Sequence, residues 1–457
     1  MPLHDVSSPQ ETAFPWMSSR FFFKEAQDLA SAKYRFELDA LSLERVKASA
    51  LDFERHLQAG RSIYGTHTHF GAQVARACSN DYAQHQKELV HFLKVGTGRF
   101  FKEEVVRRAL RLQAKKMAQG FSGISVKTLL ALIDLSNRPE LSCVPQEGSL
   151  GASGDLIPMA HALGSLFNEI SPAPRDALAL VNTNAMMVSH AIDLFLQVKA
   201  QLIKALAVSA TLLAAIHPSL EFLSLFEIEA IGLQRPTSTL VAKWMKEKIL
   251  SLSEALPEVL QNQPRYSLRC SPIVYGLVFD LLEEAEKKIE LEYHALADNP
   301  IMTPEALYHG GLFYAVYLAS ASDQVIEAIC RSTEMLDRQI LLLMDPEHNG
   351  GLSINLEHPL ASHCKGLHQL ISSLYQRLRS FGVPAWQMSF SAESNNQDIV
   401  PASMQAWHRI QDLLPLLDSL VQAAEFCASR ALDLRKGKVP APLESWRESQ
   451  EPPHACR

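Results

Sequence analysis

Apolar residues recur at intervals of three and four along this chain for many helical turns at a time, while strict alternation is scarce. The pattern predicts helices over residues 42–59, 83–93, 103–119, 125–135, 189–215, 237–254, 273–291, 315–343, 362–379 and 404–436. Within 315–343, Val325, Ile329, Leu336 and Leu343 fall near one face, and Asp323, Glu327 and Arg331 point elsewhere. A stripe that long must be covered by other helices, so the expected fold is mainly α, a long-helix bundle. Pro and Gly punctuate the connections, most densely at 145–158, 172–174 and 257–272. No linker separates domains sharply. A soft division gives an N-terminal part at 1–182, a central long-helix bundle at 183–437 and a polar, Pro-rich C-terminal tail at 438–457, expected on the surface.

Composition narrows the function classes. Of 457 residues, 47 % are hydrophobic and 20 % charged, which excludes general disorder. A net charge of −7 offers no basic field for a phosphate backbone, so nucleic acid is not an expected partner. Cys78, Cys143, Cys270, Cys330, Cys364, Cys427 and Cys456 are scattered and form no CxxC pair, which fits a reducing cytoplasm. Residues 1–16 carry Asp5 and Glu11 and lack the basic and apolar regions of a secretory signal. The most apolar run, 205–216, is well short of the roughly 20 residues a bilayer requires, so no membrane span is expected.

The most unusual stretch is Gly148-Ser149-Leu150-Gly151-Ala152-Ser153-Gly154-Asp155-Leu156-Ile157-Pro158. Three glycines leave the backbone free to adopt uncommon angles. Three physical readings compete: a helix entry capped by Ser153 or Asp155, a nucleophile elbow whose GxSxG pattern GASGD does not fit, and a phosphate cradle without its lysine. The run continuing to Gly164, GSLGASGDLIPMAHALG, resembles the signature of the aromatic amino acid lyases, the histidine, phenylalanine and tyrosine ammonia-lyases and related aminomutases. In that family an Ala-Ser-Gly tripeptide cyclises with loss of water to 4-methylideneimidazol-5-one (MIO). Ala152, Ser153 and Gly154 match it, and the resemblance implies that they form this electrophile here. Gly154 offers an unhindered nitrogen to the Ala152 carbonyl, and Ser153 supplies the hydroxyl whose loss leaves the methylidene.

The resemblance runs in order from about Ala59 to Asp398. Ile63-Tyr64-Gly65-Thr66-His67-Thr68-His69-Phe70-Gly71 is similar to the family's catalytic tyrosine loop, which gives Tyr64 the role of base for the substrate β-proton. A phenol with a reference pKa near 10 does this only if its surroundings stabilise the phenolate. His69 stands where glycine is usual, and His67 where asparagine is common. The His67-x-His69 pair also invites a metal reading, but the further ligands it needs have no place in the sequence pattern, so no metal is expected. Asn182 matches an asparagine that helps hold the substrate, with Thr183-Asn184 in place of Gly-Thr. Gln263-Pro264-Arg265-Tyr266-Ser267-Leu268-Arg269-Cys270 resembles a run in which Arg269 clamps the substrate carboxylate, Tyr266 assists proton movement and Gln263 hydrogen-bonds nearby. Asp298-Asn299-Pro300 and His309-Gly310-Gly311-Leu312-Phe313 follow the pattern with Leu312 in place of asparagine, and Phe313 is implied to pack on the substrate ring. Ser391-Ala392-Glu393-Ser394-Asn395-Asn396-Gln397-Asp398 looks like the phenylalanine-type run, with Glu393, Asn396 and Gln397 implied at the substrate. Glu393 and Gln397 would share a face if that stretch were helical.

Phe92-Leu93 aligns with the selectivity segment and reads as the phenylalanine type. An apolar pair gives a phenol hydroxyl no partner, and stranding one costs on the order of 1–3 kcal/mol. His91 is expected to point away. The implied activity is cofactor-independent apart from the self-made MIO: elimination of ammonia from an aromatic L-amino acid, phenylalanine-like preferred, to a trans-arylacrylate such as cinnamate. The implied architecture is the ammonia-lyase (fumarase-like) helix bundle with a smaller MIO-bearing N-terminal part, assembled as a homotetramer with sites shared between subunits. An aminomutase giving a β-amino acid and a catalytically silent homologue are the alternatives. The substitutions at His69, Thr183, Asn184 and Leu312 motivate the second.

Overall fold

The computed structural model describes residues 14, 21–78, 81–216, 219, 222–224, 226–227, 235–252 and 263–450. Its helices of six or more residues are α1 (Phe21–Ala30), α2 (Ala40–Gln58), α3 (Tyr82–Leu93), α4 (Glu103–Met117), α5 (Val126–Ser136), α6 (Leu156–Ala162), α7 (Asp176–Val181), α8 (Ala185–Ile216), α9 (Pro236–Leu252), α10 (Ser271–His294), α11 (Val316–Leu343), α12 (Lys365–Arg379), α13 (Ser403–Arg435) and α14 (Leu443–Gln450), with single turns at Leu166–Glu169 and Tyr266–Arg269. Every helix expected from periodicity is present, with ends shifted by a few residues; the expected 253–254 end of α9 and tail residues 451–457 lie outside the described residues. Helices α6 and α7 were not legible because 7 and 6 residues are too few to display a period. The tail contains α14, whose Trp446 packs edge-on against Phe426 with ring centroids 6.0 Å apart.

Side-chain caps start several of these helices. Asp39 accepts from the Ser42 amide before α2, Asp81 from Gln84 before α3, and Ser125 from Thr128 before α5. Glu103 and Glu104 in the first turn of α4, with Lys115 and Lys116 in its last, complement the helix dipole.

Helix α8 is the axis of the bundle and packs against α4, α9, α10, α11 and α13. It extends the apolar run expected at 205–216 back to Ala185, and an 18-residue window of the stretch Asp176–Ile216 is apolar enough to cross a membrane; 67 % of that window is buried inside the protein. Around it α10 packs on α11, and α11 on α13, so one apolar core runs from Phe14 to Ala431. The interior also holds arginines whose donors meet backbone carbonyls. Arg111 reaches Leu29, Ser31 and Tyr34, and Arg430 reaches Leu356, Ala361, Ser362 and Ala441. Such forks tie loops to α4 and α13 without needing a buried carboxylate.

Two small ribbons complete the fold. Strands β1 (Thr97–Phe100) and β2 (Pro145–Glu147) pair antiparallel, Thr97 opposite Glu147, and deliver the chain into the glycine-rich loop. Strands β3 (Ile301–Met302) and β4 (Leu307–Tyr308) form a hairpin between α10 and α11 that leads into the Gly310–Phe313 turn.

Candidate active site

The glycine-rich loop is folded against the start of α8. Gly154 has φ +77°, and a Cβ there would lie 2.5 Å from the Thr183 carbonyl oxygen and 2.6 Å from its nitrogen, so only glycine fits. The Asp155 amide donates to the Thr183 carbonyl at 2.5 Å. Asp155 occupies the cap position of α6, as one sequence reading held, but its carboxylate does not cap that helix. It accepts instead from the Met187 amide in the first turn of α8, at 2.8 Å, and from the Ser149 hydroxyl, at 3.0 Å. Complete burial pushes Asp155 up to about 7, with those hydrogen bonds and Lys116 opposing. In the Thr183-Asn184 pair, the Thr183 backbone closes on Gly154, and the Asn184 amide donates to Glu292 at 2.6 Å.

This packing presents Ala152, Ser153 and Gly154 to a cavity of about 1070 Å³. The Asn182 amide donates to the Ser153 carbonyl at 2.7 Å, and the Gln397 amide to the Ser153 hydroxyl at 2.8 Å. Asn182 Oδ1 and Gln397 Oε1 are buried without a partner.

Tyr64 enters the same cavity from the loop between α2 and α3. Gly65, at φ +72°, lets that loop pass where any side chain would run into Leu178. Gln86 pins it: its amide donates to the Gly65 carbonyl at 2.9 Å, and its Oε1 accepts from the Ala177 and Leu178 amides of α7. The Tyr64 hydroxyl accepts from the Gly71 amide at 2.8 Å. Burial pushes the Tyr64 phenol above its ordinary pKa; the Gly71 hydrogen bond pulls it down, the Glu393 carboxylate pushes it up, and Arg175 pulls it down. The balance is upward, so within one chain Tyr64 is held as the phenol.

Segment 391–398 is not helical, contrary to the condition under which Glu393 and Gln397 were expected to share a face. Glu393, Ser394 and Asn395 are successively left-handed, at φ 51°, 53° and 63°, inside a tight turn closed by an Ala392–Gln397 bridge. The turn still brings the two side chains together. Glu393 accepts from Gln397 at 3.2 Å, from Asn396 at 2.8 Å and from the Ala72 amide at 3.2 Å, which ties the turn to the tyrosine loop. Phe92 and Leu93, from α3, and Phe313, after β4, also line the cavity; Leu312 is exposed.

Three residues named from the sequence lie elsewhere. Gln263 is exposed, Tyr266 is 72 % exposed, and the Arg269 guanidinium lies over the Tyr266 ring at 4.5 Å, all outside the cavity lining. His67 does not lend Nδ1 to a metal: it accepts the Ile63 amide at 3.1 Å. Sequence reasoning missed Gln86, although a glutamine on the apolar stripe of Leu89, Val90 and Leu93 was a readable signal. It missed Ala72 and Tyr314 as well, which carry no such mark.

A family model described as aromatic amino acid lyase matches residues 23–171 and 165–451. The chain belongs to the aromatic amino acid lyase family. Among curated relatives, a histidine ammonia-lyase from Vibrio parahaemolyticus is 27 % identical, covering 90 % of this chain and 86 % of its own length. A tyrosine 2,3-aminomutase from a Myxococcus species is also 27 % identical, with 92 % and 89 % covered. The solved structure of a phenylalanine aminomutase from Pantoea agglomerans superposes with a TM-score of 0.80 at 23 % identity, over 93 % of this chain and 91 % of that one. This member of the family therefore has the fold expected from its sequence, and membership makes it an enzyme of the carbon–nitrogen lyases. Its residues fit the family's MIO group: Gly154 is bare of side chain and turned sharply, Ser153 is held at both its hydroxyl and its carbonyl, and unpartnered amide oxygens stand beside it.

Proposed function

We propose that this chain makes MIO from Ala152-Ser153-Gly154 and eliminates ammonia from an aromatic L-amino acid, giving a trans-arylacrylate. The observation that carries the proposal is that Ser153, gripped by Asn182 and Gln397, shares one cavity with Tyr64. Ring closure joins the Gly154 nitrogen to the Ala152 carbonyl carbon and expels one water, and the Ser153 hydroxyl leaves Cβ with the Ser153 Cα proton as a second, which creates the Cα=Cβ double bond. The group supplies an electrophilic carbon for the substrate amine. Tyr64 Oη takes the β-proton once its phenol has ionised, with the Gly71 N–H placed to hold the oxygen's charge. Leu89, Phe92 and Leu93 cover the aryl ring and exclude water, and with no polar group of their own they suit a phenylalanine-type ring, with cinnamate as product. Phe313 packs on the same ring, while Asn182 and Asn396 orient the polar end.

Gln263, Tyr266 and Arg269 act, in this proposal, on the site of a neighbouring copy, Arg269 clamping the carboxylate with its guanidinium fork, in a cytoplasmic homotetramer. Their position outside the cavity of their own chain supports it. The aminomutase reading is kept because an aminomutase is as similar to this chain as a lyase is; it requires a β-amino acid among the products.

The test is the mass of the peptide containing Ser153. We expect it two waters lighter than its sequence, and we expect Ser153→Ala to keep its helical circular dichroism and lose all turnover. An unmodified tripeptide in folded, wild-type protein would sink both enzyme readings and leave a silent scaffold.

A further inference from the structure

Helix α3 sets His85, Leu89 and Phe92 along one side, at spacings of four and three. Leu89 and Phe92 line the cavity; His85, one turn back, is 5 % exposed. The far arm of the tyrosine loop rests on it. The Phe70 ring stacks on His85 at 4.6 Å and 6°, and the His69 ring meets His85 edge-on at 5.2 Å and 88°. His85 is hydrogen-bonded to the Thr68 backbone, its Nε2 has no partner, and burial with the nearby His69 holds its pKa below the ordinary value. It is a neutral buttress. His69 itself lines the cavity, half-exposed. Phe70, Leu89, Phe92 and Leu93 line the same cavity, the Phe70 and Phe92 rings 6.4 Å apart, and carry no side-chain hydrogen-bonding group.

We propose that His69 is a specificity-determining residue: its imidazole gives a hydrogen-bond partner to a hydroxyl on an aryl ring lying against Leu89, so that hydroxyphenyl substrates are accepted beside phenyl ones. His85 is the positioning residue behind it. The argument is one of satisfaction. A phenol buried against Phe92 and Leu93 alone loses its water partners and gains none, whereas a site that hydrogen-bonds the hydroxyl removes that penalty. The inference rests on the aromatic-substrate reading above and refines it.

The experiment compares kcat/KM for L-tyrosine and L-phenylalanine in wild type, His69→Ala, His69→Asn and His85→Leu. We expect His69→Ala to lower the tyrosine-to-phenylalanine ratio by about tenfold or more, the scale of one lost hydroxyl contact. His69→Asn, which keeps a hydrogen-bonding group, should retain more of the ratio than alanine, and His85→Leu should lower it through a raised KM for tyrosine. A ratio unchanged in His69→Ala overturns the proposal, as does a wild type that rejects tyrosine. Calorimetry with 4-hydroxycinnamate and cinnamate reads the same preference without turnover. A chain inactive on every aromatic amino acid, with Ser153 unmodified, fails the enzyme reading; equal loss of both acids' binding in His69→Ala fails this one.

Discussion

Glu393 lies close enough to Tyr64 to resist the phenolate, and through Ala72 it is fixed to the same loop. Removing its charge lowers the Tyr64 pKa, so the base form becomes available at lower pH. Glu393→Gln keeps an oxygen for the Ala72 amide, and we expect the rising alkaline limb of kcat/KM to move to lower pH in that variant. A limb that stays in place would show that the carboxylate does not set the tyrosine's ionisation. At this scale the sequence pointed to Ala152-Ser153-Gly154 and the loop around Tyr64 as candidates because each is a contiguous motif, and the two do line one cavity. What it hid was contact between distant segments. Nothing local to Gln397 announces that its amide reaches Ser153, and it is a left-handed run at Glu393, Ser394 and Asn395, not a helical turn, that brings Glu393 and Gln397 together.

Among the elements, α5 and α7 are joined by a single carboxylate. Asp176 accepts from the Ser125 amide and hydroxyl, the Thr128 hydroxyl and the Ala173 amide, at 2.9, 2.8, 2.6 and 2.7 Å, and is fully buried. Asp176→Ala strands all four donors, and we expect a loss of about 3 kcal/mol or more, read from the urea midpoint; a loss under about 1 kcal/mol would mean that water takes over the site. Helices were the most legible feature of the sequence because a stripe such as Val325, Ile329, Leu336 and Leu343 repeats over many turns. Short helices fixed by a tertiary contact, as α7 is by Asp176, have no such repeat to read.

For the molecule as a whole, apolar stripes announced a bundle but not which helices meet, and the cavity is built where four well-separated loops converge near the start of α8. The bundle also encloses a histidine pair. The rings of His190 on α8 and His408 on α13 stand 5.5 Å apart, each with Nε2 unpartnered. Burial pushes His190 down to about 3, and His408, Lys102, Arg108 and Arg99 press the same way. Below about 6.5 the unfolded chain therefore binds a proton that the fold refuses. The stability that His190 contributes is complete above that pH and is lost as pH falls from about 6.5 toward about 3. We expect His190→Gln to be less sensitive to acid than wild type over this window, measured as urea midpoint against pH; parallel curves would refute it.

The central place of α8 bears on how the chain is made. Of its main partners only α4 precedes it; α9, α10, α11 and α13 all follow, the last ending at Arg435, about 220 residues after α8 closes at Ile216. At ribosomal speeds that is roughly ten to forty seconds during which α8 has been synthesised and its cover is incomplete. Chaperone demand therefore falls in the middle of translation, and fragments stopped before α13 carry an exposed core.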